Sequence, residues 1–185
     1  MENTFNFCPL CGKKNIVCDN NRKWFCSDCG FLLYCNVAAA CGLVLYDDFD
    51  NVLFEVRAKE PRKGYLAIPG GFIDADERAE EGIIRECKEE LGFEPENISF
   101  ICTYPNTYLY KNIEYKTCDM FFSSKLPSSY KDLYALLKTL HPQESEVSDL
   151  KVVKVSSLED IEKIPFAFES SKKTLIDFIK NKKGL

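Results

Sequence analysis

Apolar and polar positions along the chain change period several times, and each change marks an element. After a cysteine-marked segment at residues 1–35, VAAACGLVLYD (Val37–Asp47) reads as a buried strand. DDFDN follows as a turn, and VLFEVRA (Val52–Ala58) as the hairpin partner. EPRKG is a loop, and YLAIPGG is a short extended piece stopped by Pro69, Gly70 and Gly71. From Glu77 to Leu91 the period becomes helical: Ala79, Ile83, Ile84, Cys87 and Leu91 form one apolar stripe, and Gly92 closes the helix. ISFICTYPNTYLY and IEYKTCDMFFSSKL predict two strands around a turn at Lys111–Asn112. Tyr130–Leu140 predicts a short helix whose end Pro142 marks, and DLKVVKV one more strand. The last segment, SSKKTLIDFIKNKKGL, predicts a helix capped by serines, with lysines near its C-terminus. Strands before, between and after two main helices imply an α/β (α+β) fold, a mixed sheet with helices on both faces.

Composition narrows this. With 45% apolar residues in 185, one main domain with a small appendage is expected, and 13% aromatics argue against disorder. No run approaches 18 apolar residues, so no membrane span is expected. MENTFNFCPLCG has neither a basic start nor an apolar stretch, which predicts no signal peptide and a cytoplasmic location. A net charge of −5 does not suit non-specific nucleic-acid binding. The single histidine, His141, excludes a His-rich metal site and reads as an exposed loop residue beside Pro142.

Ten cysteines without an export signal point to metal ligands or small buried hydrophobes rather than a disulfide framework. Four are paired, Cys8 and Cys11 in CPLCG and Cys26 and Cys29 in CSDCG, with fourteen residues between the pairs. Each pair precedes a glycine, Gly12 or Gly30, which permits the tight turn that aims backbone amides at thiolates. Two such knuckles at the tips of two hairpins supply the four soft ligands of tetrahedral Zn2+. Because protein fills all four positions, that zinc is structural. A thioredoxin-like redox pair is the alternative, but it needs no twin. The expectation is a zinc ribbon at 1–35, too small to fold without metal, ahead of a domain at 36–185. Cys18, Cys35, Cys41, Cys87, Cys102 and Cys118 are expected to be small buried hydrophobes.

The acidity is concentrated in GFIDADERAEEGIIRECKEELGF, residues 71–93. Eight acidic and three basic residues there account for the whole net charge. Glu86, Glu89 and Glu90 stand at i, i+3 and i+4 and project from one helix face. Carboxylates that close raise one another's pKa, cations relieve the repulsion, and hard oxygen ligands select magnesium or manganese. A solvated acidic face is the other reading, but it gives no reason for the Pro-Gly-Gly lead-in or for Arg85 directly before the cluster.

At these residues the chain resembles the Nudix hydrolase family. The Nudix box, G-x5-E-x7-R-E-U-x-E-E-x-G-U with U a bulky aliphatic residue, is matched at every fixed letter by Gly71, Glu77, Arg85, Glu86, Glu89, Glu90 and Gly92. Cys87 and Phe93 occupy the U positions. The resemblance implies the α/β/α Nudix sandwich from about Val37 onward. It also implies Mg-dependent hydrolysis of a nucleoside diphosphate linked to another moiety, a nucleotide-type small molecule. A four-cysteine ribbon before the first strand is similar to the arrangement in NADH pyrophosphatases, and in relatives it also mediates homodimer packing. However, FLLYCNVAAA lacks both prolines of that family's linker, and Thr103, Tyr104, Pro105 and Asn106 replace its Ser-Gln-Pro-Trp signature. ADP-ribose is therefore as strong an expectation as NADH.

The resemblance also implies roles. Glu86, Glu89 and Glu90, with the Gly71 carbonyl, would coordinate Mg2+ (or Mn2+), and Arg85 would orient a box glutamate together with Glu77. Glu146 stands about where relatives place an extra metal-binding glutamate, and it shares candidacy as general base with the box glutamates and Glu144. Tyr104, Tyr108 and Tyr110 follow the box at the right distance to stack on a base, core packing being the other role for each. Two further functions stay open: a nucleoside triphosphate pyrophosphohydrolase that cleanses the pool, and a non-catalytic nucleotide-sensing or RNA-binding module. The intact box speaks against a pure sensor, and Lys13, Lys14, Arg22 and Lys23 give the ribbon few charges with which to read nucleic acid.

Overall fold

A computed structural model describes residues 5–111 and 113–184, and the chain forms two compact units. One comprises the residues up to Ala38 together with Thr107–Lys116; the other comprises Ala39–Asn106 and the residues from Thr117 onward. Met1–Thr4, in the segment read for a signal peptide, and Asn112 of the expected turn lie outside the described residues.

In the first unit, β1 (Ile16–Asp19), β2 (Lys23–Cys26) and β3 (Leu32–Tyr34) form an antiparallel sheet in that order. Its buried cluster is small: Ile16 and Trp24 with Cys8 and Cys26. A core of this size cannot cover both faces and both ends of three short strands. Cys18 and Cys35 are accordingly exposed, against the expectation that they are buried hydrophobes.

The larger sheet contains β4 (Ala38–Tyr46), β5 (Asn51–Arg57), β6 (Leu66–Ala67), β7 (Ser99–Tyr110), β8 (Ile113–Lys125) and β9 (Val147–Lys154). Its order is β6-β5-β4-β8-β7, with β9 also paired to β5. β4 and β5 form the expected antiparallel hairpin, Tyr46 opposite Val52, and a parallel bridge from Leu66 to Phe166 gives the sheet its mixed character. The helices are α1 (Ala79–Leu91), α2 (Leu133–Leu137), α3 (Leu158–Glu162) and α4 (Glu169–Lys183). Among the described residues, no helix is long and apolar enough to cross a membrane.

The two-residue period of the strands sorts the core into two layers. Leu43, Leu45, Leu53 and Phe122 pack with Ile83, Cys87 and Leu91 of α1 and with Leu133 and Leu136 of α2. Their strand neighbours Val44, Val52, Phe54 and Phe121 pack with Ile161 of α3 and with Leu175 and Ile179 of α4. The expected sandwich, helices on both faces of a mixed sheet, is the observed one.

Three helix starts differ from the pattern. α1 begins two residues after Glu77, because Asp76 adopts a left-handed φ of 65° and Glu77 turns its carboxylate back to accept the Asp74 N–H at 3.0 Å. α2 is shorter than expected because Asp132 caps it, accepting the Ala135 N–H at 2.8 Å. α4 starts after Phe168, so Ser170 and Ser171 are buried in its first turn rather than capping it. Ser170 donates its hydroxyl to Asp119 of β8 at 2.8 Å.

Candidate active site and cysteine cluster

The Pro-Gly-Gly segment crosses β4 closely: Leu43 N–H donates to the Pro69 carbonyl and Cys41 N–H to the Gly71 carbonyl, both at 2.9 Å. Gly70 has φ 143°, and a Cβ there would lie 2.2 Å from the Cys41 carbonyl oxygen, so the crossing requires glycine. A Cβ on Gly71 would lie 2.5 Å from Oε1 of Glu86. The bare backbone at Gly71 is what lets a box carboxylate rest beside it.

Arg85, in the second turn of α1, organises the cluster. Its Nε and Nη2 donate to the two oxygens of Glu77 at 2.9 and 3.0 Å, a bidentate pair that fastens the pre-helical turn to the helix. Its Nη1 reaches Glu86 at 2.8 Å and Glu89 at 3.3 Å, and Nη2 also donates to the Phe72 carbonyl at 3.0 Å. The hydrogen bonds from Arg85 hold the Glu77 carboxyl below its usual range.

Glu90 lies deeper, with Oε2 accepting the Gly70 N–H at 3.0 Å. Burial, followed by the charge of Glu86, pushes its carboxyl up to about 7. Burial raises Glu86 as well. Glu89 is the outermost of the three, more than half exposed.

The structure adds one carboxyl that the sequence pattern did not single out. Glu55 on β5 is buried, and burial together with the neighbouring Glu90 raises it well above the usual carboxylate range. The signal was present in VLFEVRA, where an acid stands in phase with the inward Leu53.

In the first unit the sulfurs of Cys8 and Cys29 are 3.7 Å apart, as are those of Cys11 and Cys26, and all four lie within 4.8 Å of one another. The two knuckles are built alike, Gly12 N–H donating to the Cys8 carbonyl and Gly30 N–H to that of Cys26, each at 2.9 Å. Only the second knuckle sits in a hairpin turn; the first precedes β1. Among the described residues this is the one group of three or more metal-ligating side chains drawn so close, so the box carboxylates stand further apart. Thiolates about 2.3 Å from a tetrahedral zinc are separated by about 3.8 Å. The donor set fits that ion.

Residues 36–176 match the NUDIX domain.

The chain belongs to the Nudix family.

Relatives include the NAD-capped RNA hydrolase NudC of Vibrio atlanticus, 29% identical over 163 residues, which are 87% of this chain and 54% of that protein. Another is the ADP-ribose pyrophosphatase of Methanocaldococcus jannaschii, 36% identical over 74 residues, 40% of this chain and 43% of that one. The chain spans about half the length of these relatives. Among solved structures, a Nudix hydrolase from Nitrosomonas europaea aligns with a TM-score of 0.64 at 20% identity, covering 96% of this chain and 92% of that one. The Nudix domain of Shewanella oneidensis NrtR, complexed with ADP ribose, aligns at 0.58 and 23% identity, covering 80% and 88%. At these identities the two structures show the Nudix fold alone.

The remaining residues implied by the Nudix resemblance are placed unevenly. Glu146 immediately precedes β9; its carbonyl accepts the Ala58 N–H at 2.8 Å, its carboxylate pairs with Lys59, and its charge reaches Glu90. Glu144 and His141 are exposed. Tyr104 is tied to α4: its hydroxyl donates to Asp177, a bond that pushes the phenol up to about 12, and Lys173 Nζ lies 5.9 Å from its ring centroid. α4 covers the sheet face opposite α1, so the structure does not bring Tyr104 to the box. Tyr108 and Tyr110 belong to the first unit, where Lys111 Nζ lies 5.2 Å from the Tyr110 ring centroid.

Proposed function

We propose that this Nudix chain is a divalent-cation-dependent pyrophosphohydrolase that cleaves the diphosphate of an ADP-linked small molecule, ADP-ribose or NADH-like, and releases AMP. The observation that carries the reading is the complete Nudix box. Arg85 binds Glu77, Glu86 and Glu89 at once, and Glu90 is anchored on Gly70. The names of the two relatives, and the ADP ribose bound by the NrtR Nudix domain, support the substrate class.

The donor set suits Mg2+ or Mn2+: hard carboxylate oxygens, among which Glu90 is raised by burial and then by the charge of Glu86. When bound, the ion neutralises diphosphate charge and lowers the pKa of attacking water. Glu86, Glu89 and Glu90, with the Gly71 carbonyl, hold it, and Arg85 keeps Glu86 and Glu89 oriented. Glu89 and Glu146 are the candidate bases for the water proton, Glu89 because it is the most exposed of the box acids. The four cysteines hold a structural Zn2+.

The test is a substrate panel of ADP-ribose, NADH, FAD, dinucleoside polyphosphates and nucleoside triphosphates with Mg2+, with products identified by mass spectrometry. The expected result is AMP from ADP-ribose or NADH, with kcat/KM at least about tenfold above the triphosphates. Dominant release of pyrophosphate from triphosphates would replace this reading with pool cleansing. Nucleotide binding without turnover of any substrate would replace it with sensing.

A further inference from the structure

β5 carries an acid, Glu55, two residues along from the buried Leu53 and so on the same side of the strand. Val52 and Phe54 belong to the α4 layer and Leu53 to the α1 layer, so the pleat sets Glu55 on the α1 side with Glu86 and Glu90. Buried polar atoms are hydrogen-bonded as a rule. Glu55 Oε1 is buried and has no hydrogen-bond partner among the described residues. The donors nearby are directed elsewhere: Gly70 N–H to Glu90, Arg57 Nε to the Pro61 carbonyl, and the Arg85 fork to Glu77, Glu86, Glu89 and Phe72. The carboxyl instead meets that of Glu90 and lies within range of the Glu86 charge. An acceptor oxygen left without a donor beside another acid is open to a cation, although Glu55 and two box carboxylates do not stand as close together as the four sulfurs do.

Resting on the reading of the box as a divalent-cation site, we propose that Glu55 is a further carboxylate ligand of that cation, offered from the sheet while Glu86, Glu89 and Glu90 are offered from α1. The cation is then gripped between two elements of secondary structure, and β5 joins the helix in fixing its position. The rival role is that of a positioning residue, a neutral carboxyl donating to Glu90 and never touching the metal.

Mn2+ binding to zinc-replete protein freed of other divalent cations, followed by calorimetry and electron paramagnetic resonance, separates these roles. The proteins compared are the wild type, Glu55→Gln, Glu55→Leu and Glu90→Gln. Both Glu55 variants are expected to melt at or above the wild type without metal, because each removes a buried acid. Both are expected to bind Mn2+ at least about tenfold more weakly. Glu55→Gln keeps a donor toward Glu90, so unchanged Mn2+ affinity in that variant overturns the ligand assignment, whether or not Glu55→Leu is weakened. A wild-type crystal soaked in Mn2+ makes the test independent of how the variants fold. An anomalous peak at coordination distance, about 2.1 Å, from a Glu55 oxygen is expected. A peak bound by α1 glutamates without Glu55 overturns the proposal. Specific Mn2+ binding that is lost in Glu90→Gln but unaltered in both Glu55 variants removes Glu55 alone and leaves the box reading standing. Absence of Mn2+ binding in the wild type removes the box reading as well.

Discussion

In the first unit four sulfurs already stand together, two pairs at 3.7 Å, whereas in the second unit the box carboxylates stand apart and lean on Arg85 and a backbone amide. Part of the difference is chemical. Protonated thiols tolerate contact, while ionised carboxylates repel and spread unless cations intervene. The other part is size. Ile16 and Trp24 with two cysteines form the buried cluster of the first unit, so a metal held by the four sulfurs would substitute for a core. The second unit has two full apolar layers and does not depend on a charged, open cluster for its core. On the proposed reading, the metal of one unit belongs to folding and that of the other to chemistry.

Replacing Cys8 with serine tests that division with the largest expected effect. Structural zinc contributes on the order of 10 kcal/mol to small modules. Loss of the bound zinc, measured by metal analysis, should expose residues 5–35 to protease while the second unit keeps its melting transition. A zinc-free wild type with a protease-resistant ribbon would break the comparison.

The reverse experiment is Glu90→Gln. Turnover should fall about 10³-fold, as when a transition-state charge stabiliser is removed, with no loss of melting temperature. A large loss of stability would mean that the carboxylate cluster, too, is part of the fold.

Arg85→Lys sharpens the picture further, since a lysine cannot reproduce the fork on Glu77. About 1.5–3 kcal/mol of unfolding free energy should be lost in urea titration, the value of hydrogen bonds to charged groups. The activity left should show a weakened response to Mg2+.

The smallest effect is in pH. The Glu90 carboxyl, at about 7 in the folded chain against roughly 4.3 unfolded, makes the native state the better proton binder between those values. Its stabilisation is complete below the unfolded value and is lost as pH rises toward 7. Glu77, held low by Arg85, acts oppositely, its contribution being lost as pH falls below the usual carboxylate range. Protein freed of Mg2+ and Mn2+ should therefore melt at lower temperature as pH rises from about 5 to 8, and added Mg2+ should flatten the decline. A flat profile without the cation would contradict the burial of Glu90.

What was legible in the sequence was local. The i, i+3, i+4 spacing places Glu86, Glu89 and Glu90 on one helix, the two glycines place the lead-in, and the CxxCG pairs place four sulfurs. What escaped depends on distant partners. Glu55 acquires meaning only when α1 sets Glu90 against it. Tyr104 is claimed by Asp177, 73 residues away, and Ser170 by Asp119, 51 away. That Cys18 and Cys35 are exposed follows from the size of a three-stranded unit, and no stretch of sequence around either cysteine carries that information. α3, five residues with a reciprocal Ser157–Asp160 cap, is too short to show a helical period.

The most direct test of the proposed chemistry is detection of AMP and ribose 5-phosphate after incubation of the chain with ADP-ribose, with Mg2+ or with chelator, in wild type and Glu89→Gln side by side. The proposed reaction predicts both products for the wild type with Mg2+, and neither in chelator or in the variant. AMP formed in chelator, or undiminished in Glu89→Gln, would contradict a reaction run by the box carboxylates and their cation.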